Sequence, residues 1–593
     1  GLQLKNNLSA DIKLFPFLSF KSSLGLDISR TSDESFLPKY YLNGTDQVTN
    51  AKVGRGVGQR DYWVFETYLS YNDKFGDHTV STMVGTSAEK ERYETVNASK
   101  EGLVNNDANQ QIINAATKNP AASGSVSYHT MNSYFGRVFY SYADKYMITA
   151  NIRWDGSSNF ADKHRWGVFP SVSGGWNFRE ESFIKDVVGD WFSQGKFRAA
   201  WGEIGNQNIS SGAYLTRYGN STYYLLGNSM TPWLSGGRTN VGNPDLRWET
   251  TRQLDFGLDL AFFNSALKFN IDYFDRKTSD MLVQVPMPAA IGLPNTPWSN
   301  AGSVKNRGFE FVLDYHGKIG NDFSYNIAGN ISTYKNKVLS LGGGTNIPGK
   351  THLGNQVNTM IEPGKPIGYF YGYKMDGVFQ TQEEINNYRG GPDNTIIMPT
   401  AEPGDLKFVD LNGDGKLGEE DRTMIGNPHP DFTFGLTLSG EYKGFDLSMF
   451  FQGSVGNDIL NILKYDIYSG TGWYNAPKDI FDKFWTGPGS TNENFAISAN
   501  SRDNLTMSEW YIENGSYVRL KNVTLGYTFP KQWVQKLTVQ NLRLFVAAQN
   551  LFTITSYSGL DPELGNSNPA FMGIDMGWYP QARSFMVGLS LKL

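Results

Sequence analysis

The chain has 593 residues and a formal net charge of −5, which offers no concentrated basic face for nucleic acid. It contains no cysteine, so disulfides, zinc–thiolate sites and thiol nucleophiles are excluded. Aromatic residues make up 14 % of it and there are 64 glycines, a composition that suits strands and tight turns better than helices.

No stretch reaches the ~18 uncharged apolar residues of a membrane helix. A membrane barrel stays open, because it spreads its lipid-facing residues over alternate positions. The opening GLQLKNNLSADIKL stretch reads as a strand and not as a signal peptide, as though the sequence starts inside a structure. Ala143-Asp-Lys145 predicts a tight turn. Tyr214, Tyr218, Tyr223, Tyr224 and Trp233 then gather in one long connection, where flat rings could stack on a ligand, pack loop against loop or anchor at the membrane interface as an aromatic belt. Leu267, Phe269, Ile271 and Tyr273 fall on one face and Lys268, Asn270 and Asp272 on the other, the period of two that marks a strand. Further tight turns are predicted at Asn264-Ser265, from His316 to Asn321, and at Lys443-Gly444.

Gly344-Thr-Asn-Ile-Pro-Gly-Lys-Thr351 has the spacing of a phosphate-binding loop, but no helical period follows it, so a glycine loop explains it better. Residues 410–421, DLNGDGKLGEED, carry the rhythm of a calcium loop. Asp410, Asn412 and Asp414 offer side-chain oxygens, Lys416 its carbonyl and Asp421 a closing carboxylate, while Gly415 permits the sharp turn. Strand-like flanks and Asp at the twelfth place point to a structural calcium staple of modest affinity and not to a sensor; an unmetallated Asp/Asn/Gly turn is the competing reading. A second aromatic group, Trp473, Tyr474 and Trp485, follows. Phe445 to Met449, Leu542 to Ala548 and Phe585 to Leu593 again alternate.

Tight turns take turns with long excursions at 31–61, 91–131, 205–247, 334–430, 456–513 and 551–582. Short turns at one end and long loops at the other are the layout of an outer-membrane barrel. Roughly 17 strands of about 9–13 residues are expected. An odd number would leave a barrel open, so strands preceding residue 1 are expected outside this sequence. The six scattered histidines, the acid pair Glu419-Glu420 and the lack of a GxSxG elbow give no catalytic constellation.

Several segments resemble the SusC/RagA-like TonB-dependent transporters: Tyr146-Met-Ile-Thr-Ala-Asn-Ile-Arg-Trp-Asp-Gly156, Asn243-Pro-Asp-Leu-Arg-Trp-Glu-Thr250, Asn300-Ala-Gly-Ser-Val-Lys-Asn-Arg-Gly-Phe-Glu310, Ser516 to Pro530, and Gln549-Asn-Leu-Phe552 followed by Ser558-Gly-Leu-Asp-Pro-Glu563. The Asp410 loop with Ile425-Gly-Asn-Pro428 and Pro430 to Gly435 is similar to the same family. The resemblance implies an all-β, antiparallel transmembrane barrel of roughly 22 strands, of which this chain would supply about 17, with residues 334–430 as a long extracellular loop region. It implies import of oligosaccharides, peptides or similar nutrients across the outer membrane of a Gram-negative bacterium. A SusD-like surface lipoprotein would serve as lid, and TonB would act through a plug domain not found in these residues. Further surface lipoproteins and a dimer of transporter–lipoprotein pairs stay open. The terminal Gly588-Leu-Ser-Leu-Lys-Leu593 resembles a last-strand assembly signal. Competing readings are a siderophore or cobalamin receptor and, from another class, a soluble calcium-stabilised extracellular binding protein or adhesin, whose apolar faces would be sealed in an internal core.

Overall fold

The computed structural model describes residues 1–226, 231–284, 296–342, 344, 346–350, 356–468, 475–478, 480–497, 503–534, 539–566 and 568–592. Seventeen strands share one antiparallel sheet. In chain order they are β1 Leu2–Phe15, β2 Leu18–Leu37, β3 Ala51–Phe75, β4 His78–Leu103, β5 Lys118–Tyr142, β6 Tyr146–Ser157, β7 Trp166–Trp176, β8 Phe192–Asn206 and β9 Glu249–Phe262. They continue as β10 Leu267–Ser279, β11 Ser303–Ile319, β12 Phe323–Ser340, β13 Phe432–Tyr442, β14 Phe445–Val455, β15 Tyr517–Thr528, β16 Asn541–Thr555 and β17 Ser584–Lys592. The fold is all-β, with the expected number of strands.

Strand length departs from expectation. β3 has 25 residues, β4 26 and β5 25, about twice the expected span. The excursions read at 31–61 and 91–131 are therefore largely strand. Pairing continues without interruption from Ile28↔Asp61 out to Leu37↔Lys52, while the apolar alternation stops near Ile28. Backbone hydrogen bonds extend a ladder whether or not either face meets an apolar medium, but an apolar alternation is imposed only where one face meets an apolar medium and the other meets water.

The chain forms two compact units. The first comprises Gly1–Trp176, Ala199–Gln253 and Thr278–Ala301, and within it β1 to β7 pair consecutively. Tyr146, Ile148, Ile152 and Trp154 of β6 are about half exposed and share a face with exposed Tyr134 and Val138 of β5 and Val168 and Val172 of β7. Tyr134, Trp154 and Trp166 form a ring cluster at one end of this face, with centroids 5.2–6.2 Å apart. Tyr146 sits at the other end, beside the turn at Ala143 and Asp144, whose positive φ values of 51° and 55° match a two-strand twist. Eight residues at ~3.3 Å separate Tyr146 from Trp154, about 26 Å along the strand, comparable with the roughly 25 Å apolar band of a membrane barrel with its flanking aromatic girdles. The opposite face is ionic: Arg60 donates to Asp27 at 3.2 Å and to both oxygens of Glu91 at 3.0 and 3.1 Å, and the Tyr62 hydroxyl donates to Glu89 at 2.8 Å.

The second unit comprises Asn177–Arg198, Leu254–Lys277 and Gly302–Leu593, and β11 to β17 pair consecutively in it. One cross-strand row reads Leu447–Leu525–Val546–Val587, with every member exposed. On the other face Arg543 holds Asp446 through two bonds of 2.8 and 2.5 Å. The same division separates the half-exposed Leu267, Phe269, Ile271 and Tyr273 from Asp272, which takes a 2.8 Å bond from Arg198. These rows are not sealed under a second sheet, as a soluble adhesin would require.

Apolar packing of the globular kind occurs in the connections. Phe370, Phe379, Leu406, Phe408, Leu460, Phe495 and Tyr511 are at most 2 % exposed and make one core. Part of the long connection between β12 and β13 is a four-stranded antiparallel sheet of Ile347–Lys350, Val357–Ile361, Tyr369–Tyr373 and Arg422–Gly426.

Ala150 and Asn151 are adjacent on β6 but face opposite sides. Ala150→Arg is expected to destabilise the sheet in lipid by roughly 2–4 kcal/mol, and Asn151→Arg by less than about 1 kcal/mol. Denaturant titration of each variant refolded into phospholipid vesicles measures the difference.

Candidate functional site

Three regions carry the side chains singled out by sequence. The first is the Asp410–Asp421 loop, which leaves the short strand Leu406–Phe408 and rejoins Arg422–Gly426. Its carboxylates and amide organise the loop's own N–H groups. Asp410 accepts from Gly413 at 2.7 Å and Gly415 at 2.8 Å, Asn412 from Asp414 at 2.8 Å, and Asp414 from Lys416 at 2.9 Å. Asp421 is fully buried and accepts from Leu411, Asn412 and Gly418. Gly415 has φ +84°, and a Cβ there would stand 2.4 Å from the Gly390 carbonyl oxygen, so the loop closes only with glycine at this position. Among the described residues no three His, Cys, Asp or Glu side chains are gathered as a ready cation cage. The donors are nevertheless all oxygen, as a hard cation prefers, and a carboxylate oxygen that accepts one N–H keeps a second lone pair.

The aromatic groups divide. Tyr214 is half-buried against the cluster of Phe160, Ile209, Ala213, Leu246 and Trp248, whereas Tyr218 is 69 % exposed. Tyr223, Tyr224 and Trp233 lie on a small hairpin with Tyr224 opposite Trp233; their side chains fall outside the described residues. Trp473 and Tyr474 also lie outside the described residues. Trp485 is half-buried against the core of the second unit, and its indole N–H donates to the Gln380 side chain at 3.1 Å. Gly349 and Lys350, the heart of the phosphate-loop spacing, belong to a strand paired with Val357–Ile361.

The third region, missed as a unit by sequence reasoning, joins β15 to the connection after β16. Arg519, only 4 % exposed, donates to Asp561 at 2.6 Å, to Glu563 at 2.6 Å and to Thr553 at 2.7 Å. Lys521 donates to both Glu563 oxygens at 2.8 Å. Nearby, fully buried Asp575 accepts from the Tyr557 hydroxyl at 2.7 Å, and Lys464 pairs with Glu513 at 2.9 Å. The complementary charges of Arg519-Leu-Lys521 and Asp561-Pro-Glu563 were the available signal. Burial pushes the Asp561 carboxyl up, but the Gln581 N–H, the Arg519 guanidinium and the Glu563 N–H outweigh that and hold it below the ordinary carboxylate range. In the first unit Asn243, Leu246, Trp248 and Asn300 do comparable work. Leu246 is fully buried, Trp248 donates to the Arg165 carbonyl at 3.0 Å, and Asn300 bonds both backbone groups of Arg247 at 2.8 and 2.7 Å. These segments fasten loops to strands.

A family profile described as TonB dependent receptor-like, beta-barrel, matches residues 2–551. The chain is 34 % identical over 99 % of its length to TonB-dependent receptor P3 of Formosa agariphila. It is 29 % identical over its full length to TonB-dependent receptor SusC of Bacteroides thetaiotaomicron. It spans 57 % of the length of each of these relatives. The solved structure of the RagAB peptide transporter matches 99 % of the chain with a TM-score of 0.83 at 22 % identity, over 61 % of that chain; the likeness is one of fold.

Arg519→Met leaves the buried Asp561 carboxylate without its cation, while Glu563 keeps Lys521. Its expected cost is roughly 3–5 kcal/mol, read as a lowered unfolding midpoint and as proteolytic cleavage within 556–583. Because the Asp561 carboxyl is depressed, its contribution is complete above the ordinary carboxylate range and fades only as pH falls through the lower folded value. Protease resistance of this connection should therefore be flat from pH 8 to about pH 5 in the parent protein.

Proposed function

The chain belongs to the TonB-dependent receptor β-barrel family, and on that premise we propose that it forms most of the barrel wall of a SusC-type nutrient importer in the outer membrane. The observation that carries this reading is the division of the strands into an exposed apolar face with aromatic ends and an ion-paired polar face. Hydrocarbon selects the first and a water-filled passage the second. The cargo is proposed to be an oligosaccharide, peptide or similar nutrient captured at the outer loops. A SusD-like lipoprotein covers the mouth, and energy arrives from TonB through a plug. The wall contributes passage and recognition and no bond-making step. Tyr214, Tyr218, Tyr223, Tyr224, Trp233, Trp473, Tyr474 and Trp485 are proposed as contributors to the vestibule, with Tyr218 the most open of those whose side chains are described.

The Asp410–Asp421 loop is proposed to take Ca²⁺ as a staple, with Asp410, Asn412, Asp414, the Lys416 carbonyl and Asp421 as ligands. The cation would stiffen a connection whose turns are already set by the same oxygens.

Three measurements test these proposals. Cells producing the intact protein should take up labelled oligosaccharide or peptide only while the proton-motive force is intact, and the protein should require detergent for extraction and shift its gel mobility on heating. Extraction in buffer alone would overturn the barrel reading. For the cation, adding millimolar CaCl₂ to chelator-treated protein should raise the melting temperature, and the double variant D410A/D414A should abolish that rise; equal curves with CaCl₂ and with chelator would dismiss the staple.

A further inference from the structure

The connection after β12 returns to that strand through a short hook, Glu362-Pro-Gly-Lys-Pro-Ile-Gly368. Pro363 and Gly364 suit the two central places of a tight turn that needs positive φ at the second, and Gly364 has φ +94°. The Lys365 N–H closes the turn on the Glu362 carbonyl at 3.2 Å. Two backbone bonds of 2.8 Å join the hook to Val338 of β12, one from the Gly364 N–H to the Val338 carbonyl and one from the Val338 N–H to the Lys365 carbonyl. The Ile367 N–H donates to the Asn336 side chain at 2.8 Å. The Ile367 carbonyl is met by His429, which stands just ahead of β13 and donates to it from Nε2 at 2.9 Å.

His429 is only 8 % exposed, and its partners fix its protonation. A carbonyl can only accept, so Nε2 carries the hydrogen. Nδ1 is then bare and accepts from the Tyr334 hydroxyl of β12 at 3.1 Å, with the two rings edge to face at 88°. The ring is therefore neutral, and it ties together β12, the hook and the lead into β13. Ionisable groups on the elements around it are Glu310 on β11, Tyr334 on β12, Glu362, Lys365 and Tyr369 on or beside the hook, Asp431 just before β13 and Asp458 beyond β14. Among the described residues no carboxylate is paired with the ring; Glu362 accepts from the Tyr369 hydroxyl at 2.6 Å, and Asp458 from the Asn427 N–H at 2.8 Å. Burial lowers the pKa of His429, offset in part by the Ile367 carbonyl. Burial raises that of Asp458, with the Asn427 N–H opposing and Asp431 adding to the rise.

We propose that His429 is a proton-operated latch: acid protonates its ring and releases the hook from β12 and from the lead into β13. The latch acts on the connection that the importer reading above places at the outer mouth, and rests on that reading for its exposure to external acid. A second proton must go on Nδ1, where it displaces the Tyr334 hydrogen from its acceptor. It also leaves a cation sealed in with no carboxylate to answer it. Opening the hook returns water to the ring and restores its ordinary affinity for protons. The closed junction thus binds fewer protons than the open one. Its stability is whole above about pH 6.5 and is lost as pH falls below that value toward the lower closed-state one. Protonation of Asp458 favours the closed junction and works against the latch, so a side chain at 429 that does not titrate separates the two. The hook leads directly into Tyr369–Tyr373, so its release loosens the four-stranded sheet of the connection.

The test is hydrogen–deuterium exchange of the intact protein in detergent, read as protection factors so that the intrinsic pH dependence of exchange is removed. The amides of Val338, Gly364, Lys365 and Ile367 should lose protection several-fold, and by about tenfold at most, between pH 7.5 and pH 5.5. The ladder between β13 and β14 should keep its protection over the same range. H429Q retains an amide donor for the Ile367 carbonyl but does not titrate, so its hook amides should show no such fall, whatever their protection at neutral pH. D458N removes the opposing group and should show a fall at least as large as the parent's. Y334F removes the donor that favours the neutral ring and should make the fall shallower, which keeps the latch open to test if H429Q misassembles; heat-modifiable mobility reports whether each variant is folded. Constant protection in the parent, a fall of the same size in folded H429Q, an equal loss across the β13–β14 ladder, or a Y334F fall as steep as the parent's overturns the latch. The uptake and detergent measurements stand apart: their failure removes the outer mouth, whereas a hook indifferent to pH removes only the latch.

Discussion

Hydrocarbon offers no partner to a peptide N–H or C=O, and this one constraint shapes most of the chain. A strand in lipid must be answered on both sides by neighbouring strands. The ladders run unbroken across the apolar band from β2 to β7 in the first unit and from β11 to β17 in the second, apart from a bulge between Leu520 and Asn522. Once the backbone is settled in that way, side chains are free to differ by face. Leu447, Leu525, Val546 and Val587 need no covering layer, and the water-facing side can hold carboxylates and guanidinium groups that would be ruinous a single residue away.

The connections obey the opposite rule because water surrounds them. There, apolar side chains must find one another, and Phe370, Phe379, Phe408 and Phe495 do so in a compact core. Their backbone polar groups are met by short strands and turns and by side chains such as those of Asp421 and Asn504, which accept N–H groups from within the loops. One chain thus contains two kinds of burial, set by two solvents. The Arg519 network stands at the junction, where a strand passes from one regime to the other.

This division explains what could be read in advance. Alternation along Leu267–Tyr273 and Phe585–Leu593 announced strands because lipid enforces a strict period, and the two-residue turn at Lys443-Gly444 was visible because positive φ restricts the residues that tolerate it. The outer halves of β3, β4 and β5 were hidden: with water on both faces, Gly54, Gly56 and Gly58 and their Ser, Thr and Asn neighbours follow no apolar period. The pairing of Arg519 with Asp561 spans 42 residues, and charge complementarity at that separation leaves no local pattern. The Asp410 loop was legible in its turn chemistry, since each side-chain oxygen answers an N–H two to five residues on, or in Asp421's case three to ten residues back. The aromatic residues were legible only as a composition, because Trp485 and Tyr218 have different surroundings that spacing does not encode.

The hairpin of β13 and β14 pairs Tyr442 with Phe445 across just two residues and keeps that register to Phe432 and Val455. So short a link leaves no slack to absorb an extra residue. Inserting one amino acid into β14 just after Phe445 would push Asp446 and Ser448 toward the acyl chains and draw Leu447 and Met449 into water. Evolution can lengthen the distant loops of such a wall freely, yet at this corner even a single added codon turns the strand inside out.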